Sequence, residues 1–244
     1  MLLRRITQHV KDQNWFAVGI DFVIVVIGVF IGIQVANWNE ARAEKNRIAA
    51  QLASFRNELV LARDDLANLQ AYYEDRVSSA SALRRRLESD NEFPASEFNR
   101  LVVSAVRGTG LNVAFRGYEE MAATGAISKL ADENLRDLLY RWDTALTGIK
   151  NSDRILESTR NGVVIPTVLE GTVFGNALQT DDRYRELNIT ERFKFDIEDI
   201  RANRLLDSAL AIRHVQAQQQ LNSLLGFMAT TEELISALDE RFAR

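Results

Sequence analysis

From Phe16 to Ala36 the chain runs through 21 residues of which only Asp21 and Gln34 are strongly polar. At about 3.6 residues per turn the apolar positions surround a helix instead of lining one side of it. A helix needs about 20 such residues to cross the hydrocarbon core of a bilayer. The pattern predicts a transmembrane helix over 15–38, preceded by a short tail over 1–14 and followed by a helical bundle domain over 39–244. Trp15 and Trp38 flank the span, where indole rings favour the headgroup level. With Gln34, Asn37, Asn39 and Glu40 they mark its boundary. Two other readings, a soluble core helix and a cleaved signal peptide, fit less well. The apolar character runs all the way round, the run is long for a signal, and Asn37 to Glu40 sits badly before a cut at Ala41-Arg42-Ala43.

After the span the period changes. Ile48, Leu52, Phe55, Leu59, Ala62, Leu66, Leu69, Tyr73, Ala80, Leu83 and Leu87 follow alternating steps of three and four. That is a heptad stripe over one long helix, about 40–89, which the pattern allows to be continuous with the span. Arg76 alone interrupts it. The later helices offer partners, so an intramolecular bundle is favoured over a coiled coil between chains. Asp90 to Pro94 ends this helix, and a short one follows to Val106 with Ser96 as its expected cap. Gly108, Gly110, Gly117 and Gly125 punctuate 107–125, where Tyr118 to Thr124 reads as a short helix stopped by Gly125. Asp132 opens a longer helix carrying Leu135, Leu138, Leu139, Trp142, Leu146 and Ile149 on one face. Gly162 and Pro166 interrupt or kink its continuation. A polar connection is expected over 171–188, and helix from about Thr190, firmly from Ile197, to the end. Its apolar stripe is Leu205, Leu206, Ala209, Ile212, Leu221, Leu224, Leu225, Leu234, Ile235, Leu238 and Phe242. No stretch alternates as a strand does.

Within the span, Asp21, Val25, Gly28 and Gly32 fall on one stripe. Gly28 and Gly32 form a small-xxx-small pair that lets a second helix approach closely. An intramembrane acid costs about 2.5–3.5 kcal/mol on insertion scales, so a partner is expected for it. Three readings of Asp21 stay open: an acid near the interface that is hydrated or paired with a nearby base, an acid paired with a polar group on a partner helix, and proton conduction. The charges Arg4, Arg5 and Lys11 before the span nearly balance Arg42, Lys45 and Arg47 after it. The short tail with its arginine pair favours an N-terminus inside and the remainder outside.

Composition narrows the function classes. Lys+Arg number 30 against Asp+Glu 34, a net charge of −4, and nothing basic enough to suggest nucleic acid. Two prolines and 12 glycines suit a helical chain. Cysteine is absent, which removes disulfides, thiol nucleophiles and thiolate metal sites. The two histidines, His9 and His214, are far apart in sequence, and no HExxH or G-x-S-x-G pattern occurs. Asp64-Asp65 and Glu119-Glu120 are adjacent and point about 100° apart on a helix, which suits solvated charges better than an acid/base pair. Arg84-Arg85-Arg86 reads as a solvated face. Gly108-Thr109-Gly110 reads as a turn, since no strand precedes it and no Gly-Lys-Ser/Thr follows. No catalytic residue, cofactor or metal is expected.

The span resembles the signature of a bacterial membrane-protein family known as domain-of-unknown-function family 6090. The residues that carry the likeness are Asp21, Val25-Val26-Ile27-Gly28, Gly32, Gln34 and Asn37-Trp38-Asn39-Glu40. That family usually has Glu at the acidic place with glycine just before it; here Asp21 follows Ile20, and the glycine is Gly19. Residues 116–142, "RGYEEMAATGAISKLADENLRDLLYRW", are similar to the family's central stretch. The resemblance implies a bacterial inner-membrane protein with a helical domain and supplies no activity.

The expectation is therefore an all-α chain: a single N-terminal transmembrane helix, then an antiparallel helical bundle with long first and last helices. The function expected is a non-enzymatic, membrane-anchored interaction or sensory-type protein with a periplasmic bundle. Its partners would be membrane lipid and, through the transmembrane helix, a second copy or another membrane protein. The alternative is an accessory subunit of a larger membrane enzyme or transport complex.

Overall fold

The computed structural model describes residues 15–172 and 194–243, with side chains from Gly19 onward. The tail over 1–14, the side chain of Trp15, most of the connection read over 171–188 and the helix start near Thr190 lie outside the described residues. The chain divides into two compact units, Met1–Gln51 and Leu52–Arg244. Among the described residues all regular structure is helical. Helix α1 spans Trp15–Leu87, so the span and the heptad segment belong to one helix, as the pattern allowed. In the first unit its apolar side chains are exposed on every side, from Ile20 to Val35.

The second unit is a bundle built by four passes. The heptad stripe of α1 supplies the first: Leu52, Phe55, Leu59, Ala62, Leu66, Leu69, Tyr73, Ala80 and Leu83 are all buried, and only Leu87 is partly exposed. The return pass is broken in two. Helix α2 (Ala95–Val106) lies beside the end of α1, with Ser104 bonded to Asp75. Helix α3 (Arg116–Ala123) lies beside the 55–58 region, its Gly117 N–H donating to the Glu58 carboxylate at 3.0 and 3.1 Å. Residues 107–115 join the halves without helix. Gly125, at φ 68°, turns the chain out of α3, a conformation a side chain resists. Helix α4 (Glu133–Thr159) makes the third pass and α7 (Arg204–Phe242) the fourth. Pairs fix the α1–α7 register: Arg56 meets Asp239 and Arg63 meets Glu232, each at 2.8 Å. As one number rises the other falls, so the helices are antiparallel. Arg141 meets Glu233 and Gln220 meets Asp153, which sets α4 antiparallel to α7 as well.

Local chemistry explains most boundaries. Asp132 caps α4 through the Leu135 N–H at 3.1 Å, as its position suggested. Ser96, expected to cap α2, lies inside it; Pro94 holds the cap position with no side-chain bond, its fixed φ suiting a helix entry. Beyond α4 the backbone widens into a π turn over Arg160–Val164 and continues as α5 (Ile165–Gly171). Pro166 lacks an N–H and its ring crowds the carbonyl four residues back, at Gly162, so the ladder there cannot stay α-helical. The last helix does not run unbroken from Ile197. A short α6 (Ile197–Ala202), capped by Asp196, stops where Asn203 leaves the helical region at ψ 94° and caps α7 through the Leu206 N–H.

Two apolar regions fill the bundle. One is aromatic: Trp142 sits among Phe55, Phe115, Tyr118 and Phe227, ring centroids 4.9–5.6 Å away. The other gathers Ala80, Leu83, Phe93, Phe98, Leu101, Val102, Val164, Val168, Ile200 and Leu206 with their neighbours. In α7 the stripe read from sequence is only partly the buried face. Leu205, Ile212, Leu225 and Phe242 are exposed. Arg213, Gln216, Gln220 and Thr231 take inward positions instead. Arg213 and Gln220 turn inward to polar partners, the Ala105 and Arg107 carbonyls and Arg76 respectively, and Thr231 turns inward to accept from Trp142 Nε1.

Candidate functional site

The residues singled out in the span all lie on α1, in the first unit. Asp21, Val25, Gly28 and Gly32 are exposed, as are Gln34, Asn37, Trp38, Asn39 and Glu40. A Cβ built on Gly19, Gly28 or Gly32 meets no atom within 4 Å, so the small-residue face is open. Asp21 makes no hydrogen bond or ion pair with another described residue. The guanidinium of Arg42 lies 5.8 Å from the Trp38 ring, placing a charged group one turn beyond the apolar run.

A second constellation, missed as a site by sequence reasoning, lies inside the bundle. Arg76 and Arg213 are each 1% exposed, and Gln220 is 3% exposed. They occupy one level of the bundle with Tyr73 from α1, Asp153 and Arg160 from α4 and the π turn, and the 108–110 loop. Asp153 is held by three donors: the Tyr73 hydroxyl at 3.1 Å, the Gln220 side-chain amide at 2.9 Å and the Leu111 N–H at 2.8 Å. Burial first, and the Asp153 charge second, raise the Tyr73 phenol above its ordinary range.

Two of the three arginines finish a helix. The last carbonyls of α2 have no intrahelical donors, and the helix dipole leaves negative charge there. Arg213 donates from Nε to the Ala105 carbonyl at 2.9 Å and from Nη2 to the Arg107 carbonyl at 2.7 Å. Arg160 donates from Nε to the Val106 carbonyl between them at 2.6 Å. The π turn thus has a consequence: it sets Arg160 over the broken end of the return pass. Arg76 has no such duty. Its Nη1 bonds to Gln220 Oε1, and the Tyr72 and Tyr73 rings lie 4.9 Å from its guanidinium carbon. Its Nε and Nη2 are buried with no acceptor among the described residues. Burial, then the like charges of Arg76 and Arg160, push Arg213 down to about 9. The layer carries more positive charge than its own acids offset.

A cavity of about 90 Å³ opens within this layer, lined by Arg76, Arg160, Arg213, Asp153, Gln220 and the Gly108-Thr109-Gly110 loop, with exposed Glu157 at its edge. The glycines let the Arg160 and Asp153 side chains approach closely, and a larger residue would have to displace them. A Cβ at Gly108 would sit 2.8 Å from the Arg160 guanidinium, and one at Gly110 would sit 2.8 Å from Asp153 Oδ2. The loop is therefore the turn the sequence suggested, and it also forms a wall of the cavity. One signal could have found this layer: Arg76 is the single residue that interrupts the heptad stripe, and it stays on the buried face. His214, next to Arg213, is half-buried. Among the described residues no group of three or more His, Asp or Glu is placed to hold a metal ion.

The described fold defines an all-α chain: a four-pass bundle whose first helix also carries a stretch long and apolar enough to cross a membrane. No family model, curated protein or solved structure matches it.

Proposed function

We propose that this chain is a single-pass protein of the bacterial inner membrane, anchored by the apolar part of α1, with its bundle on the periplasmic side as a non-enzymatic interaction or sensory-type domain. The observation that carries this reading is the exposure of that stretch: none of its apolar window is buried among the described residues, and an exposed apolar surface of that length suits lipid or another helix. The open face at Gly28 and Gly32, with Asp21 on the same stripe, supports docking of a second helix. The likeness to domain-of-unknown-function family 6090 supports the same placement. A second reading, an accessory subunit of a larger membrane enzyme or transport complex, is favoured by Asp21 itself, whose carboxylate has no described partner within the chain.

The test is association of the span in a membrane two-hybrid assay, together with the size and composition of the full chain purified in mild detergent. Gly28→Ile blocks close approach by bulk. Asp21→Leu removes the polar group, and Asp21→Asn keeps a hydrogen-bonding one. Losses in the order Gly28→Ile and Asp21→Leu above Asp21→Asn support a docking face, because a buried partner left unpaired costs about 1–3 kcal/mol and an amide still satisfies it. A homo-oligomer favours the first reading and a co-purifying integral complex the second. Wild-type behaviour from both Gly28→Ile and Asp21→Leu would refute the docking face.

A further inference from the structure

We infer that the face of α1 formed by Trp38, Arg42 and Lys45 is a docking surface for the headgroups of anionic phospholipids. The inference rests on the proposed membrane placement and names what the helix holds at the edge of the bilayer. Trp38, Arg42 and Lys45 follow steps of four and three, so they share one side of the helix. All three are exposed, Trp38 at 62%. Neither cation makes an ion pair with another described residue. The guanidinium carbon of Arg42 stands 5.8 Å from the Trp38 ring centroid. Glu40, Glu44 and Arg47 follow the same steps on the opposite side of the helix. There Arg47 is taken by Glu44 at 2.6 Å. The acids of this stretch thus lie away from the Trp38 side, and the charges of Arg42 and Lys45 stay open to an outside partner.

Side-chain direction brings these charges to the depth of the headgroups. In a helix each Cα–Cβ bond tilts towards the N-terminus, which for this stretch is the direction of the apolar run. The contact of Arg42 with Trp38, one turn back, follows that lean. At about 1.5 Å per residue, the Arg42 and Lys45 backbones stand about 9 and about 14 Å beyond Ala36. A backward reach of about one turn, about 5 Å, sets their charges about 4 and about 8 Å from the end of the apolar run. The polar layer on each side of a bilayer is about 5–8 Å deep, so both charges fall at its level. Charge then selects the occupant. A zwitterionic headgroup carries its own cation beside the phosphate, whereas an anionic one offers oxygens that nothing neutralises. The guanidinium fork suits two such oxygens at once, and the ammonium adds a point charge beside it. Each Lys or Arg near an anionic surface strengthens the attraction about fivefold.

The experiment uses the full chain reconstituted in phosphatidylcholine vesicles with a trace of spin-labelled phosphatidylglycerol or spin-labelled phosphatidylcholine. Electron spin resonance reads the fraction of label immobilised by the protein. The phosphatidylglycerol label should be favoured at least about fivefold at low salt, and the preference should shrink at about 1 M salt, where the screening length falls to about 3 Å. Arg42→Gln and Lys45→Gln should each lower the preference about two- to fivefold, and Arg42→Lys should keep it. Arg47→Gln loses the same charge from the opposite side and should leave the preference within about 1.5-fold of wild type. Bases in the N-terminal tail contribute equally in every variant, so the comparison isolates this face. Retention of the chain through an alkaline carbonate wash checks the membrane placement separately. A chain that washes off refutes the placement, and the inference with it. A retained chain with no preference for phosphatidylglycerol, or with equal losses from Arg42→Gln, Lys45→Gln and Arg47→Gln, overturns the headgroup face alone.

Discussion

The aromatic region predicts a specific coupling between α4 and α7. Trp142 is wholly buried, and its Nε1 donates to Thr231 Oγ1 at 3.0 Å. Thr231 in turn donates to the Phe227 carbonyl at 2.8 Å, one turn back along α7. Trp142→Ala would empty the space among four rings and should cost about 3–5 kcal/mol. At about 2–4 °C per kcal/mol for a chain of this size, the midpoint should fall by about 6–20 °C. The hydrogen bond is separable by a double-mutant cycle. Thr231→Val keeps the shape, removes the acceptor and strands a buried indole N–H, which should cost about 1–3 kcal/mol. In a Trp142→Phe background there is no N–H to strand, so the same substitution should cost less than about 0.5 kcal/mol, leaving a coupling near 1 kcal/mol. The assay is urea unfolding of the full chain in mild detergent, followed by circular dichroism. Equal costs for Thr231→Val in both backgrounds would refute the pairing of Trp142 with Thr231, and with it the α4–α7 register at that level.

Leu66→Ala, at a buried position of the heptad stripe, should cost about 2–5 kcal/mol by the same unfolding assay, and a surface-like cost below about 0.5 kcal/mol would contradict its burial. Tyr73 and Tyr118 are both held above the ordinary tyrosine range, first by burial and then by Asp153 and Asp143 respectively. A phenol raised in the folded state contributes stability that is complete below about pH 10 and is lost as pH climbs towards the raised value. Tyr73 and Tyr118 should therefore form phenolate only above the ordinary tyrosine range in the folded chain, and loss of the absorbance change near pH 10 on Tyr73→Phe or Tyr118→Phe would contradict it. Asp132→Ala, which removes the α4 cap, should cost about 0.5–2 kcal/mol, while Asp132→Asn, which keeps an acceptor for the Leu135 N–H, should lose less. A reporter active only outside the cytoplasm, fused after Arg244, should give signal, whereas signal from a cytoplasm-only reporter would reverse the proposed topology.

Local period and local chemistry settle a good part of this protein from the chain alone. The apolar run of 16–36, broken only by Asp21 and Gln34, the three-four steps from Ile48 to Leu83, the Asp132 cap and the Gly125 stop each depend on neighbours within a turn or two, so they were legible without a fold. Ser96 was a poorer guide because Pro94 had already set the helix entry. Which polar residues go inside is a matter of tertiary packing. Arg213, Gln216 and Gln220 look like an ordinary solvated face of α7, and Leu205, Ile212 and Leu225 look more apolar than their exposed sites require. The break in the return pass makes sense of Arg213: the end of α2 leaves carbonyls inside the bundle, and guanidinium groups from two other elements complete them. That need arises from residues more than 50 positions apart, Arg160 to Val106 and Arg213 to Ala105. No short-range pattern encodes it. Arg76 is the exception. It stands in the stripe where an apolar residue belongs, and the bundle, by surrounding it, turns that single irregularity into the floor of a charged cavity.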